Sequence, residues 1–203
     1  MTDRYWHFCA IAKDGTPVLR DGSLALGPGE TETYQGTLKM CNTGLHASKR
    51  AMDALSCAPG SWCRLVQLEG EVLHGADKSV ATRRLILTSF DARKVLHEFA
   101  CCIAETALLI SDEDGDVYWQ AIEAKRAWLR GEIGDKELAA ARDAAEDVGG
   151  AGAWPASWAA SAAWAASWAA AWSTSAYWAA ARDEIGDLLE SMLTEAAGAT
   201  TRS

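Results

Sequence analysis

Six tryptophans lie close together between Trp154 and Trp178, in a segment whose other residues are mostly Ala and Ser. At about 100° per residue, their spacing places all six rings within roughly 160° of a helix circumference. No charged residue occurs over the 34 residues from Val148 to Ala181. The pattern therefore predicts a helix with one aromatic face and one face of small residues, and both faces need a covering surface.

The tryptophans follow a repeat of two heptads, which continues beyond them and predicts one helix over 154–197. Six indoles of about 150–250 Å² each would exceed the largest apolar patch of a monomer, roughly 300–600 Å². At about 1.5 Å per residue, the helix is also longer than the roughly 35 Å that a body of 110 residues spans. We therefore predict a homo-oligomer. The predicted oligomerisation residues are Trp154, Trp158, Trp164, Trp168, Trp172, Trp178, Ile185, Leu189 and Met192.

Two other interpretations of this segment are less favourable. A transmembrane helix would explain the missing charges, but Ala and Ser contribute little transfer energy and no Lys/Arg cluster flanks the segment. A disordered tail is disfavoured because Ala is the best helix former and Trp is poorly compatible with open solvation. We expect no membrane partner.

Charge and cysteine content restrict the remaining classes. The formal net charge is −9, which argues against a general nucleic-acid-binding protein. Residues 1–110 carry 12 basic and 12 acidic side chains, whereas 111–203 carry 7 and 16. Because no apolar signal-peptide run follows Met1, we expect a cytoplasmic (host cell) protein whose six cysteines are free thiols.

Alternating apolar and polar residues in the first part of the chain predict strands, and a 3.6-residue period later predicts helices. Ser48 is expected to cap a short helix that carries Ala51 and Leu55, and Gly70 is expected at a β-bulge. The predicted strands are 5–12, 17–20, 33–41, 62–74 and 80–87, and the predicted helices are 91–110, 117–130 and 136–148.

These elements predict an α+β fold with a small β-rich N-terminal domain, a helix that covers its sheet, and an α-helical C-terminal oligomerisation region. The predicted parts are an α+β domain at 1–110, short helices and a linker at 111–153, and the long Trp/Ala-rich helix at 154–197.

Basic residues near an aromatic side chain, across a plausible hairpin, indicate a small pocket for an anionic ligand. An ordinary solvated strand face is the alternative interpretation. The candidate ligand-binding residues are His46, Trp62, Arg64, Lys78, Arg83 and Arg84.

Two patterns resemble metal sites without completing them. His97, Cys101 and Glu105 share one helical edge but lack an accompanying CxxC or HExxH motif. The acidic run from Asp112 to Asp116 lacks the bidentate Glu of a calcium loop. We predict no metal, no cofactor and no catalytic residue.

The motifs GLHAS at 44–48, DAL at 53–55, APG at 58–60 and DKxVAxxR at 77–84 resemble an uncharacterised domain of phage and prophage proteins. The resemblance covers residues 5–110 by motif. The tail is similar in its general composition, since such proteins often carry Ala/Trp/Arg-rich helical tails. It implies a phage or mobile-element origin and no particular activity.

A second likeness is to the ADP-ribosyltransferase fold, in which a Gly-x-His/Tyr strand end leads into a helix with an Ala-rich face. It implies His46 and the pair Glu69 and Glu71 as site residues of an NAD-dependent transferase.

Three functions follow. The favoured one is a non-enzymatic, phage-encoded, homo-oligomeric binding protein that sequesters a host defence factor or a small anionic, nucleotide-like signal. The alternatives are an ADP-ribosyltransferase-like enzyme and a purely structural assembly module.

Overall fold

The computed structural model describes residues 3–111, 116–149 and 176–201. These residues form two compact units. The first unit contains the chain up to Ala92 together with the C-terminal helix, and the second unit begins at Arg93.

An antiparallel sheet forms the first unit, in the order β2-β1-β5-β6-β3, with β4 also paired to β6. The sheet curls, because Ser48, the residue after β4, exchanges backbone hydrogen bonds with Trp6 of β1. The strands are β1 Tyr5–Ile11, β2 Pro17–Val18, β3 Thr31–Thr33, β4 Leu45–Ala47, β5 Trp62–His74 and β6 Ser79–Asp91.

The hairpin of β5 and β6 is the longest feature of the sheet, with 13 residues in each strand. The predicted bounds of β5 are confirmed, whereas β6 runs four residues beyond the prediction because its end pairs with the start of β5. The bulge predicted at Gly70 is also confirmed. The register shifts between Glu69 and Val72, and Gly70 has a φ of 75°, which favours glycine.

The segment before β5 differs most from the prediction. Of the extended run predicted at 33–41, only the first residue belongs to a strand, because the carbonyl of Lys39 accepts the N–H groups of Asn42 and Thr43 in a turn. The predicted Ser48 cap is wrong. The helix α1, Ala51–Ser56, has Arg50 at its N-cap without a side-chain hydrogen bond, and the backbone of Ser48 pairs with β1.

The C-terminal helix α5, Ala176–Thr200 (numbered after α2 to α4 of the second unit, below), packs against α1 and β6. Leu189, Leu193 and Ala197 follow one face of this helix at intervals of four residues and are buried. An ion pair of 2.8 Å joins Asp183 of α5 to Arg50 beside α1. The last part of the predicted long helix is therefore part of the first unit.

Three helices form the described part of the second unit: α2 Arg93–Ser111, α3 Asp116–Arg130 and α4 Asp135–Gly149. Their bounds confirm the predicted helices to within two residues. One hydrophobic cluster of these helices consists of the buried residues Cys101, Ala104, Leu108, Tyr118, Ala121, Ile122 and Ala145. The expectation that α2 covers the sheet stays a prediction.

The strand-rich N-terminal part followed by helices agrees with the predicted α+β class. Residues 150–175, which contain five of the six tryptophans of the aromatic segment, lie outside the described residues. Trp178 belongs to α5, but its side chain is not described. The oligomerisation region therefore stays a prediction. In the part of the chain that is described, no helix combines the length and apolarity that crossing a bilayer requires.

Candidate functional site

A cavity of about 610 Å³ opens in the first unit, within the size range of ligand-binding clefts. We call it the cationic pocket. Its wall comprises Trp6, His7 and Phe8 of β1, the stretch 19–21 after β2, Tyr34, the stretch 41–48 that includes β4, Ala54, Cys57, Lys78 and Arg84.

Among the described residues of its wall, three permanent cations line this pocket, namely Arg20, Lys78 and Arg84, together with one carboxylate, that of Asp21. Arg20 donates a hydrogen bond to the carbonyl oxygen of Cys57. The Nζ of Lys78 lies 3.5 Å from the Sγ of Cys57 and 3.2 Å from the Asp77 carboxylate. Since the side chain of Lys78 is only 19% exposed, its ammonium is held in the wall.

Arg84 connects the pocket to a buried ion-pair network. Its Nη2 lies 2.5 Å from Glu32 Oε2, and its Nη1 donates to the carbonyl of His46 at 2.6 Å. Arg64 donates to the other carboxylate oxygen of Glu32 at 2.8 Å. Arg64, Arg84 and Glu32 are all buried. Although burial opposes ionisation, Arg84 and Arg64 hold the pKa of Glu32 below its ordinary value.

The network contains two guanidinium groups and one carboxylate, so a positive charge remains after pairing. Burial and the neighbouring Arg64 lower the pKa of Arg84, but a guanidinium keeps its proton in proteins. A buried charge without a counter-charge costs several kcal/mol. An anion in the pocket beside Arg84 would lower this cost.

His7 completes the network without adding charge. It lies directly opposite Arg64 in the pairing of β1 with β5, and its Nδ1 accepts hydrogen bonds from the Nη2 and Nε of Arg64 at 3.1 and 3.3 Å. The Nδ1 therefore carries no proton, and the neutral ring carries its proton on Nε2. Burial, then Arg84 and Arg64, lower the pKa of His7 well below its ordinary value.

His46 holds the loop at the pocket wall. Its Nε2 accepts the N–H of Cys41, and its Nδ1 donates to the carbonyl of Gly44, both at 3.1 Å. Burial lowers the pKa of His46, and Cys41, which donates to its ring, has a φ of 62°. Both ring nitrogens are thus engaged within the loop, which leaves them poorly placed to bind a ligand.

The structure brings three of the six candidate ligand-binding residues into the pocket wall, namely His46, Lys78 and Arg84. Arg64 lies behind the wall, where its side chain is fully buried. The other two candidates lie outside the wall. Arg83 alternates with Arg84 along β6 and pairs with Glu69 at 3.4 Å, and Trp62 begins β5 opposite Asp91.

Sequence reasoning missed Arg20, His7 and Glu32. The predicted strand 17–20 is too long, because β2 ends at Val18 and Arg20 lies in the turn that follows, so the predicted pattern did not indicate its neighbours. Glu32 is in a strand of three residues, and only its pairing opposite Arg84 brings it into the network. The alternation of side chains along β5 was one available signal that Arg64 is buried. Arg64 shares its strand face with Val66, a core residue.

The other candidate groups show no comparable arrangement. Glu69 and Glu71, which the transferase likeness implies, do not line the cationic pocket. His97 meets the ring of Trp128 edge-on at 5.5 Å, and burial raises the pKa of Cys101 to about 12. Within the described residues, no group of three or more His, Cys, Asp or Glu side chains is arranged to hold a metal ion.

Comparison of this chain with known protein families, with curated proteins and with solved structures found no match.

Proposed function

We propose that this chain is a binding protein whose first unit captures a small anionic, nucleotide-like ligand in the cationic pocket. The observation that carries the proposal is the sharing of Glu32 by two buried guanidiniums, one of which, Arg84, lines the pocket. No reaction is part of the proposal.

The chemistry of the wall supports a phosphate-containing ligand. Arg20 and Lys78 place charged N–H donors near the carbonyl and the sulfur of Cys57, and such donors form strong hydrogen bonds with phosphate oxygens. Tyr34 is half-buried in the same wall. Its ring offers an aromatic surface for a base, as nucleotide sites commonly do.

The biological setting of the proposal comes from the resemblance to phage domains. A protein that binds a nucleotide-like signal without converting it would sequester that signal from a host defence system. The homo-oligomer remains part of the proposal through residues 154–178, whereas Leu189 is fully buried within its own chain.

Binding of pyrophosphate, ADP and uncharged adenosine to the full chain tests the proposal. Arg84→Gln removes the charge at the pocket and leaves a balanced Arg64–Glu32 pair behind it. We expect this variant to bind pyrophosphate at least about tenfold more weakly, since hydrogen bonds to charged groups contribute about 1.5–3 kcal/mol each. Isothermal titration calorimetry measures the difference.

Arg83→Gln is the matched control, because it removes the same charge from the adjacent residue outside the pocket wall. We expect its affinity for pyrophosphate to equal that of the parent chain. If both substitutions lowered the affinity for pyrophosphate equally, the loss would come from general charge attraction and not from the pocket. Absence of pyrophosphate and ADP binding by the parent chain would contradict the proposal and favour the purely structural module.

Oligomerisation needs a test that leaves the first unit intact. Truncation at residue 148 would remove α5, whose buried residues pack against α1 and β6, and would therefore destabilise the fold. Replacing Trp154, Trp158 and Trp164 by Ala in the full chain avoids this problem. Light scattering coupled to size exclusion should show an oligomer for the parent chain and a smaller particle for the variant, and a monomeric parent chain would contradict this part.

A further inference from the structure

Two thiols of this chain are exposed, Cys41 and Cys57, and both line the cationic pocket. The remaining four cysteines are less accessible, since Cys9, Cys63 and Cys101 are buried and Cys102 is half-buried. Burial also raises the pKa of Cys63 and Cys101. Thiol chemistry in the folded protein is therefore concentrated at the pocket.

Of the two exposed thiols, Cys57 lies within hydrogen-bond distance of an ammonium group. The Nζ of Lys78 lies 3.5 Å from its Sγ, and the Arg20 guanidinium donates to its carbonyl oxygen. The sulfur that attacks an electrophile does so as an anion, and a neighbouring ammonium stabilises that negative charge. Lys78 thus supports both nucleophilic attack by Cys57 and attraction of an anionic reagent to the same place.

We propose that Cys57 is a site of reversible S-thiolation by anionic, low-molecular-weight disulfides. The inference rests on the proposed function to the extent that both need the cationic pocket. The reagent class follows from the wall, because Arg20, Lys78 and Arg84 attract carboxylates more strongly than they attract a neutral disulfide. The cavity of about 610 Å³ accommodates the half of the reagent that stays attached.

The reaction is a thiol–disulfide exchange. The thiol of Cys57 loses its proton to solvent, and its sulfur attacks one sulfur of the disulfide. A new S–S bond forms as the old one breaks, and the leaving half departs as a thiolate that takes up a proton from solvent. Cys57 is oxidised and the leaving sulfur is reduced, so the disulfide itself is the oxidant. The attached group occupies the pocket and excludes the free anion.

Two aromatic disulfides of opposite character test the proposal on the full chain. Dithionitrobenzoate carries a carboxylate on each half, whereas dithiodipyridine is neutral. Peptide mass spectrometry after brief labelling gives separate rates for Cys57, Cys41 and Cys102. We expect Cys57 to have the largest ratio of anionic to neutral reagent rates, and saturating pyrophosphate to slow its labelling.

Lys78→Gln should lower the rate of Cys57 with the anionic reagent by about fivefold, the effect of one partly exposed charge, and lower the rate with the neutral reagent less. Arg83→Gln should leave both rates unchanged. Circular dichroism checks that both variants are folded. Cys57→Ser should abolish the pyrophosphate-sensitive fraction of the labelling.

A ratio of anionic to neutral rates at Cys57 that is no larger than at Cys41 and Cys102, or a ratio that Lys78→Gln does not change, would overturn the inference even where pyrophosphate binds as proposed. A Lys78-dependent preference for the anionic reagent, without measurable pyrophosphate binding, would support S-thiolation and count against the proposed function. The two proposals are therefore separable in one set of samples.

Discussion

Both units of this chain contain an arginine–glutamate network, and the two networks have opposite compositions. In the first unit, Arg64 and Arg84 share Glu32, and all three side chains are at most 7% exposed. In the second unit, Arg126 is shared by Glu98 and Glu105, and these three side chains are 20–39% exposed. The more exposed Glu123 lies 3.6 Å from the same guanidinium. One network has an excess of positive charge in the interior, and the other has an excess of negative charge near solvent.

The two networks show that charge balance and burial are separate properties of an ion-pair network. Water and dissolved cations can compensate the second network, because its carboxylates reach the surface and surface charges are screened. The first network is buried, and Arg84 connects it to the cavity. An unbalanced network thus points to a binding site only where burial prevents compensation by solvent.

Removal of one carboxylate from each network should give the largest difference between them. Glu32→Gln leaves two buried guanidiniums without a counter-charge, and we expect it to lower the free energy of unfolding by about 3–5 kcal/mol. Glu105→Gln leaves Arg126 paired with Glu98 and should cost about 1 kcal/mol or less. Urea unfolding followed by circular dichroism gives both values.

Added pyrophosphate sharpens this test. An anion that binds beside Arg84 replaces part of the missing charge of Glu32→Gln, so pyrophosphate should stabilise this variant more than it stabilises Glu105→Gln. Equal costs for the two substitutions would mean that the buried excess charge is compensated in another way. The first network would then give no reason to expect an anion in the pocket.

The free energy of unfolding should also depend on pH through two groups of the first network. The pKa of His7 and that of Glu32 are both depressed in the folded state, so the unfolded chain binds more protons than the folded chain in acid. The contribution of His7 to the free energy of unfolding is then complete above pH 6.5, the ordinary pKa of histidine, and falls as the pH decreases below that value. One proton contributes a slope of up to about 1.4 kcal/mol per pH unit.

His7→Gln should reduce this slope between about pH 6.5 and 5, because Gln can accept the hydrogen bonds of Arg64 without titrating. Denaturant unfolding at several pH values measures it, with Arg83→Gln as a control outside the network. An unchanged slope in His7→Gln would show that His7 is not the group that takes up the proton, and His46, whose pKa is also lowered, would be the next group to replace.

The sequence predicted the hairpin of β5 and β6, the bulge at Gly70 and the helices of the second unit because each depends on local periodicity or on one backbone conformation. It did not predict the first network. Because charged side chains are generally exposed, the sequence predicts that Arg64 and Arg84 both line the pocket. Only strand pairing places Glu32 opposite Arg84 and His7 opposite Arg64.

The pocket itself was half predictable for a related reason. Lys78 and Arg84 lie on the regular hairpin, and the sequence correctly grouped them. Arg20 and Cys57 lie in irregular segments that both precede this hairpin in the chain, and their contact joins residues 37 positions apart. No local pattern encodes such a contact, because it depends on how the curled sheet brings two loops together.

The smallest expected effect concerns the second network. Arg126→Gln leaves Glu98 and Glu105 facing a neutral side chain, and since these carboxylates are partly exposed, we expect a cost of about 1 kcal/mol or less. The hydrogen bonds to Glu105 and Glu98 raise the pKa of Arg126, and this pairing should weaken as salt is added. Urea unfolding at low and high sodium chloride measures the cost, which should shrink at high salt. The cost of Glu32→Gln should change little with sodium chloride, because its network is buried. If both costs shrank equally, screening would reach the first network as easily as the second, and the contrast in solvent access between the two networks would be wrong.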